Sequence, residues 1–200
     1  MRCLLLFCLA GWAVVAGPPE PARAAEGSSL AGKLLVARPE MRDPRFAHAV
    51  IYLCRQATDG AFGLIINRPL GEVPGATVAQ EFGLDAEPGP DPIALFWGGP
   101  VELQRGFVLH TTDYLLDTSN TVANGIAYST DARALVDVIE GHGAAHSLLA
   151  LGYAGWAANQ LEGELAHNAW DVVDADAEFV FGTRAEDMWQ AALDRVSVDL

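Results

Sequence analysis

Positive charge, and lysine above all, is scarce in this chain. Lys33 is the only lysine, and 26 acidic residues outnumber 12 basic ones, which gives a formal net charge of −14. A strongly acidic surface repels nucleic-acid phosphates and anionic lipid headgroups, whereas sequence-independent nucleic-acid binding depends on many lysines and arginines. We therefore disfavour direct nucleic-acid binding and binding to anionic membranes.

Long apolar runs are also missing, apart from one at the N-terminus. Residues 3–16 are almost uniformly apolar, but this run is shorter than the roughly 20 residues that a membrane-spanning helix needs. It follows the positive start Met1-Arg2 and precedes the small-residue sequence Ala22-Arg23-Ala24, an order typical of a cleaved secretory signal peptide. An N-terminal anchor and a wrongly assigned start codon are the alternatives.

Cysteine is rare, and most of it lies in this N-terminal segment. Of the three cysteines, Cys3 and Cys8 would leave with a cleaved signal peptide and only Cys54 would remain. A single thiol excludes an intramolecular disulfide in the mature protein. Because Cys54 lies in an apolar run that begins at His48, we predict a small buried hydrophobic residue rather than a redox switch.

The remaining composition predicts one globular domain. Hydrophobic residues make up 51% of the chain and charged residues only 19%, which argues against a disordered, highly charged chain. A length of 200 residues suits a single domain. We predict a signal peptide at residues 1–24, a flexible linker at residues 25–32 and one domain at residues 33–200, with no membrane span after signal removal. The sequence leaves the oligomeric state open.

Predicted strands outnumber predicted helices. The turn Thr58-Asp59-Gly60 predicts a hairpin between strands at residues 49–54 and 62–67. Because strands and helices do not alternate regularly, the fold class is predicted to be α+β. Helices are predicted at residues 78–82, after the capping residues 129–131, at residues 156–166 and from Thr183 onwards. The other predicted strands span residues 34–37, 94–97, 107–112, 147–151, 170–173 and 179–181.

The sequence contains no familiar catalytic or cofactor motif. Gly-x-Ser-x-Gly, a phosphate-binding loop and Gly-x-Gly-x-x-Gly are all missing, as is a basic pair of recognition helices. His142 and His146 have helical spacing, but Gly141 and Gly143 disfavour a helix there and no nearby carboxylate completes a zinc site. We therefore expect neither a cofactor nor a metal ion.

Polar clusters at three places are candidates for binding. Arg68 ends an apolar strand, Arg105 follows a glycine-rich turn, and residues 152–170 mix aromatic with polar side chains. Each cluster has a structural alternative, because glycines serve turns, arginines pair with carboxylates and aromatic rings fill cores. The candidate binding residues are Asn67, Arg68, Gly98, Gly99, Arg105, His110, Asp131, Tyr153, Trp156, Gln160, Glu162, Asn168 and Trp170.

Four blocks of the sequence stand in a characteristic order. They are MRDPRFAHAVIYLCRQATDGAFGLIINRP at residues 41–69, GGPVELQRGFVLH at 98–110, YSTD at 128–131 and LGYAGWAANQLEGELAHNAW at 151–170. Together they resemble the AlgH/YqgE family. The resemblance implies an AlgH/YqgE-like domain at residues 33–200 and an α+β fold in which a mixed or antiparallel branched sheet is rolled into a partial barrel with flanking helices.

The resemblance implies a non-enzymatic regulatory or protein-interaction module. The family takes its name from a proposed role in transcriptional control, and a general enzymatic activity is not part of its description. We expect the partner to be a protein or a small anionic ligand. The interaction surface would combine Arg68 and Arg105 with the region from Tyr153 to Trp170 on one face.

Two alternatives follow from the residues themselves. A small anionic ligand could be bound by the two arginines and the backbone N–H groups of Gly98 and Gly99. A hydrolase-type enzyme could use His110, Asp131 or Glu162 as acid or base, because carboxylates in different environments can share such work.

The chain also departs from the family pattern. Gln56 stands where a histidine is expected, so any acid–base role of that histidine would be lost here. Asn159 replaces a glycine, and asparagine tolerates a positive φ better than most residues. The signal-like N-terminus predicts a periplasmic or secreted protein if it is cleaved, whereas the family-typical alternative is cytoplasmic.

Overall fold

The computed structural model describes residues 29–196. The predicted signal peptide at residues 1–24 lies outside them, as do linker residues 25–28. Within the described part, the N–H of Leu30 donates to the Gln56 side chain at 2.7 Å and that of Gly32 to the Leu53 carbonyl at 2.8 Å. The domain boundaries stay a prediction.

Ten strands and five helices form the described part of the chain. The strands are β1 (Lys33–Ala37), β2 (Val50–Ala57), β3 (Gly60–Ile65), β4 (Pro69–Val73), β5 (Ile93–Trp97), β6 (Val101–Thr111), β7 (Asn120–Ala123), β8 (Ile126–Ser129), β9 (Ser147–Ala157) and β10 (Trp170–Asp174). The helices are α1 (Gly75–Phe82), α2 (Ala132–Ile139), α3 (Gln160–Ala166), α4 (Ala177–Gly182) and α5 (Ala185–Val196).

The strands form one curled, branched sheet with the shape of a half-barrel. Its main path is β10-β1-β2-β3-β9-β6-β8-β7, and β4 and β5 form a branch. The branch point is β9, which pairs along one edge with β6 and along the other with both β5 and β3. Within residues 29–196 only the β5–β9 pair is parallel. The predicted α+β fold with a mixed, branched sheet is therefore confirmed.

Apolar side chains fill both faces of the curled sheet. Along β2, Tyr52 and Cys54 join the core that α4 and α5 cover, whereas Ile51 and Leu53 join the core beside α3. This division follows from the two-residue repeat of a strand, which sends successive side chains to opposite faces. A third core lies between the β5–β9 branch and the helices α1 and α2. None of the helices in the described part combines the length and apolarity that a membrane crossing requires.

Most predicted elements are present, and the differences are local. The hairpin at Thr58–Gly60 is confirmed by the antiparallel β2–β3 pair. The strand predicted at residues 179–181 is wrong, because the Asp176 carboxylate accepts the Phe179 N–H and caps α4 there. The helix predicted from Trp156 begins only at Gln160, after β9 has continued to Ala157. The exposed strand β4 has no apolar alternation and was not predicted.

Candidate functional site

An open cleft of about 520 Å³ lies on the sheet across β2, β3, β9, β6 and β8. We call it the aromatic cleft. Four aromatic rings form its floor, from Phe62, Phe107, Tyr128 and Tyr153, and Arg55 and Arg105 also line it. Phe62 contacts the other three rings, with centroid distances of 6.0 Å to Phe107, 5.3 Å to Tyr128 and 5.8 Å to Tyr153. The rings thus form one continuous apolar surface.

Strand register explains why these residues share a face. Phe62 lies directly opposite Arg55 on β2 and opposite Gly155 on β9, and directly opposed residues in an antiparallel pair project to the same side. A β-bulge between Leu53 and Arg55 shifts this register. Gly155 has no side chain to occupy the cleft, and a Cβ at this position would come within 2.9 Å of the Tyr153 ring.

Arg105 reaches the cleft from an irregular part of β6. The register of β6 against β9 is interrupted between Val101 and Gly106, and Glu102 there adopts a φ of 48°. The Arg105 guanidinium lies 5.1 Å from the centroid of the Phe107 ring, a distance suited to a cation–π contact. This interruption places a positive charge directly over the aromatic floor.

The polar groups of the cleft are only partly engaged with one another. Arg55 pairs with Asp59 at 2.6 Å and Arg105 with Glu102 at 3.0 Å, and all four side chains are substantially exposed. Burial raises the pKa of Tyr128, while both guanidinium groups oppose this rise, so both act electrostatically on the same hydroxyl. Within residues 29–196 neither the Tyr128 nor the Tyr153 hydroxyl makes a hydrogen bond. These two hydroxyls are therefore available to a ligand.

Arg68 lies at a different cavity, of about 400 Å³, lined by Pro44, Arg45, Arg68, Pro69, Leu70 and Trp97. We call it the Arg68 groove. The Arg68 guanidinium stacks 5.2 Å from the Trp97 ring centroid and donates to the Ala47 carbonyl at 3.0 Å. The groove and the aromatic cleft share no lining residue. The structure therefore does not bring Arg68 and Arg105 together, contrary to our expectation.

Two of the candidate aromatics serve a closed cluster on the other face of the sheet. The Glu164 Oε2 atom accepts the indole N–H of Trp156 at 2.9 Å and that of Trp170 at 2.8 Å. Its Oε1 atom accepts from Gln160 at 3.0 Å. The indoles are only 7% and 4% exposed, so buried donors are satisfied here rather than presented. We call this the Glu164 cluster, although Trp156 also lines the aromatic cleft.

The three residues considered for acid–base catalysis do not meet. Asp131 caps α2 by accepting the Arg133 N–H at 2.8 Å, and Glu162 accepts from Gln56 at 2.7 Å. His110 is fully buried, with Nε2 2.9 Å from the Ser129 hydroxyl and Nδ1 3.0 Å from the Thr111 carbonyl. Among residues 29–196, no three His, Cys, Asp or Glu side chains could together hold a metal ion.

The remaining candidates hold backbone in place or lie in turns. Asn67 bridges the backbone of His48 and Val50 at 2.9 Å each. The Gly98 N–H donates to the Leu151 carbonyl at 2.8 Å, so it is not free for an anion. Gly99 lies so close to β9 that a Cβ would be 2.1 Å from the Tyr153 carbonyl carbon. Asn168 adopts a φ of 55° at the turn before β10.

Comparison with other proteins identifies the chain's relatives. A family model described as AlgH-like matches residues 34–200. The chain belongs to the AlgH-like family. A UPF0301 protein of Afipia carboxidovorans is 40% identical, with 92% of this chain and 91% of that one covered. A UPF0301 protein of Rhodospirillum rubrum is 42% identical, with 85% and 88% covered.

Solved structures of the AlgH-like fold agree with the architecture. The solution structure of the AlgH protein from Pseudomonas aeruginosa is 37% identical, with a TM-score of 0.72, and 86% of this chain and 91% of that one are covered. Protein DIP2367 from Corynebacterium diphtheriae is 24% identical, with a TM-score of 0.66 and 90% of each chain covered. The latter likeness concerns the fold alone.

Two of the three departures from the AlgH-like pattern have structural explanations. Asn159 adopts a φ of 62° at the start of α3, which confirms that asparagine can replace glycine at this bend. Gln56 accepts the Leu30 N–H and donates to Glu162, both at 2.7 Å. It therefore ties the residues before β1 to α3.

Sequence reasoning missed much of the aromatic cleft. It named Arg105, Tyr153 and Trp156, but not the other residues that form its floor and rim. A usable signal was the hairpin prediction, because Phe62 begins the strand predicted at residues 62–67 and Arg55 directly follows the strand predicted at residues 49–54. Phe107 and Tyr128 were also missed, as were Asp59 and Gly155 at the same cleft.

Proposed function

We propose that the protein is a non-enzymatic regulatory binding module whose aromatic cleft holds a small anionic ligand with a planar apolar body. One observation carries this proposal: two guanidinium groups lie at a continuous floor of four aromatic rings with two unengaged tyrosine hydroxyls. The cleft volume of about 520 Å³ falls within the range of pockets that hold small organic ligands.

Each part of the cleft matches one part of such a ligand. A planar ring can pack against the rings of Phe62 and Tyr153, which present apolar faces and edges. A phosphate or carboxylate group can receive paired N–H donors from Arg55 or Arg105, since a guanidinium matches the geometry of either anion. Because both arginines already pair with exposed carboxylates, a ligand must compete with Asp59 and Glu102.

The burial of Ser129 and His110, which form the pair most similar to an activated nucleophile, favours a binding role over catalysis. The Ser129 hydroxyl lies 2.9 Å from His110 Nε2, a distance typical of an activated serine. Both residues are fully buried, so a substrate cannot reach the hydroxyl in this conformation. Neither residue lines the aromatic cleft.

Calorimetric titration with phenyl phosphate tests this function, with benzyl alcohol as the neutral probe of similar shape. We expect phenyl phosphate to bind and benzyl alcohol to bind at least roughly tenfold more weakly, because charged hydrogen bonds contribute about 1.5–3 kcal/mol each. Arg105→Gln should weaken binding of phenyl phosphate by roughly tenfold, whereas Arg68→Gln should leave it unchanged.

A second variant tests the competition within the cleft. Glu102→Gln removes the carboxylate that pairs with Arg105, so binding of phenyl phosphate should become tighter by up to roughly fivefold, in line with about 0.2–1 kcal/mol for an exposed ion pair. Equal affinity for the charged and neutral probes would contradict the proposal. So would an Arg105→Gln variant that binds phenyl phosphate as the unchanged protein does.

We also propose that the protein acts in the periplasm or outside the cell, on the basis of the signal-like order of residues 1–24. Cell fractionation and N-terminal sequencing in the native host test this, and we expect a mature chain that begins at Ala25. A cytoplasmic chain that retains Met1 would contradict the proposal.

A further inference from the structure

We propose that the Arg68 groove and the adjoining edge of β4 dock an extended segment of a partner protein that carries an acidic side chain beside apolar ones. This surface is separate from the aromatic cleft, since the two share no lining residue. It therefore goes beyond the ligand-binding function, and either proposal can fail without the other.

Arg68 supplies a fixed positive charge that the described residues leave unpaired. Within residues 29–196 its guanidinium forms no ion pair, and its only hydrogen bond donates one N–H to the Ala47 carbonyl. Arg45 in the same groove pairs with Asp43 at 2.7 Å. Partial burial lowers the pKa of Arg68, which indicates a guanidinium with reduced hydration in a chain of net charge −14. A partner carboxylate would restore its lost interactions.

The Arg68 backbone and ring stacking hold this charge in one place. The Arg68 carbonyl accepts the Trp97 N–H at 2.9 Å while the guanidinium stacks on the Trp97 ring. A guanidinium fixed in this way loses little freedom when it receives a carboxylate in the paired geometry that both groups favour. The site is therefore suited to one carboxylate in one orientation.

The strand next to Arg68 provides the contact for an extended chain. Four of the five residues of β4 are exposed, and β4 pairs only with β5 within the described residues, so its other edge is unpaired there. Leu70 is 56% exposed and lines the groove. A Cβ added at Gly71 would meet no atom of the described residues beyond its two chain neighbours within 4 Å, so a second chain can approach the strand there. Main-chain hydrogen bonds along such an edge give affinity, and alternate side chains give specificity.

Charge and shape favour a protein segment over other occupants. A single unpaired arginine in a strongly acidic protein does not attract a phosphate backbone, which needs several cations. The groove is lined mainly by apolar surface from two prolines, a leucine and a tryptophan, which matches an apolar neighbour of the carboxylate. A second copy of the chain would bring its own net negative charge, which opposes self-association.

An array of short synthetic peptides tests the docking. Each peptide carries a central Asp between apolar β-forming residues, and matched arrays carry Asn or Lys at the centre. Hits are titrated into the isotope-labelled protein and followed by NMR. We expect Asp peptides to bind at least roughly fivefold more tightly than Asn peptides, in line with the added energy of a charged hydrogen bond. Shifts should concentrate at Gly71, Glu72 and the Trp97 indole.

Variants separate docking from loss of folding. Arg68→Gln and Leu70→Asp should each weaken Asp-peptide binding at least roughly fivefold while thermal melts stay close to the original, because both side chains have solvent-exposed surface. Arg105→Gln is the matched control: it weakens phenyl phosphate binding in the aromatic cleft but should leave Asp-peptide binding unchanged, because Arg105 does not line the Arg68 groove. The proposal is overturned by no binding across the Asp array, by equal binding of Asp and Lys peptides, or by shifts confined to the aromatic cleft. Concentration-dependent shifts without peptide would assign the groove to a second copy and also overturn it.

Discussion

The Glu164 cluster and the aromatic cleft contain similar residues on opposite sides of β9, but their polar groups are used differently. In the cluster, two indole N–H groups and one amide converge on a single carboxylate, so its polar donors are consumed within the fold. In the cleft, the Tyr128 and Tyr153 hydroxyls make no hydrogen bond within residues 29–196. The comparison teaches that polar satisfaction, rather than aromatic content, separates a structural cluster from a candidate binding surface.

The largest expected effect on stability concerns Gly99, which packs directly against β9, the strand that separates the two regions. Gly99→Ala would place a Cβ 2.1 Å from the Tyr153 carbonyl carbon at a φ of 151°. Because backbone atoms cannot move aside cheaply, we expect a loss of about 3 kcal/mol in the free energy of unfolding, measured by urea denaturation. Gly163→Ala is the control, since space there is open. Equal stability of the two variants would contradict this packing.

The next effect tests whether the Glu164 cluster is structural. Glu164→Ala leaves two nearly buried indole N–H groups without their acceptor, so the free energy of unfolding should fall by about 2 kcal/mol. Glu162→Ala removes one exposed contact to Gln56 and should cost less than about 0.5 kcal/mol. If both variants unfold at the same urea concentration, the cluster does not stabilise the fold as we propose.

The smallest effect is expected in the cleft itself. Tyr128→Phe and Tyr153→Phe remove hydroxyls that have no hydrogen-bond partner in the described part of the chain, so each should change the free energy of unfolding by less than about 0.5 kcal/mol. The same variants should weaken phenyl phosphate binding in calorimetric titrations. A loss of stability comparable with that of Glu164→Ala would place the two regions in one class and remove the distinction between them.

The sequence predicted local features better than it predicted which distant residues lie together in the fold. The β2–β3 hairpin and the cap at Asp131 depend on neighbouring residues, and both are present. The separation of Arg68 from Arg105 depends on the branch at β9, where β5 and β3 share one edge. That branch follows from contacts between distant strands, so residue spacing along the chain does not reveal it.

The aromatic candidates show the same limit at the level of single side chains. Trp156 and Tyr153 are three residues apart, yet the Trp156 indole donates to Glu164 whereas the Tyr153 ring joins the floor of the aromatic cleft. Their directions depend on the path of β9, which the sequence suggested would already be a helix at Trp156. The sequence does not single out Glu164, because its two indole donors, Trp156 and Trp170, come from the separate strands β9 and β10.

The most direct test of the central claim is to locate bound phenyl phosphate by intermolecular nuclear Overhauser effects in the isotope-labelled protein. The account predicts contacts from the phenyl protons to the rings of Phe62, Phe107 and Tyr153, together with shifts of the Arg55 and Arg105 side-chain N–H signals. Contacts confined to other surfaces, or their persistence at the same strength in the Arg55→Gln and Arg105→Gln double variant, would contradict it.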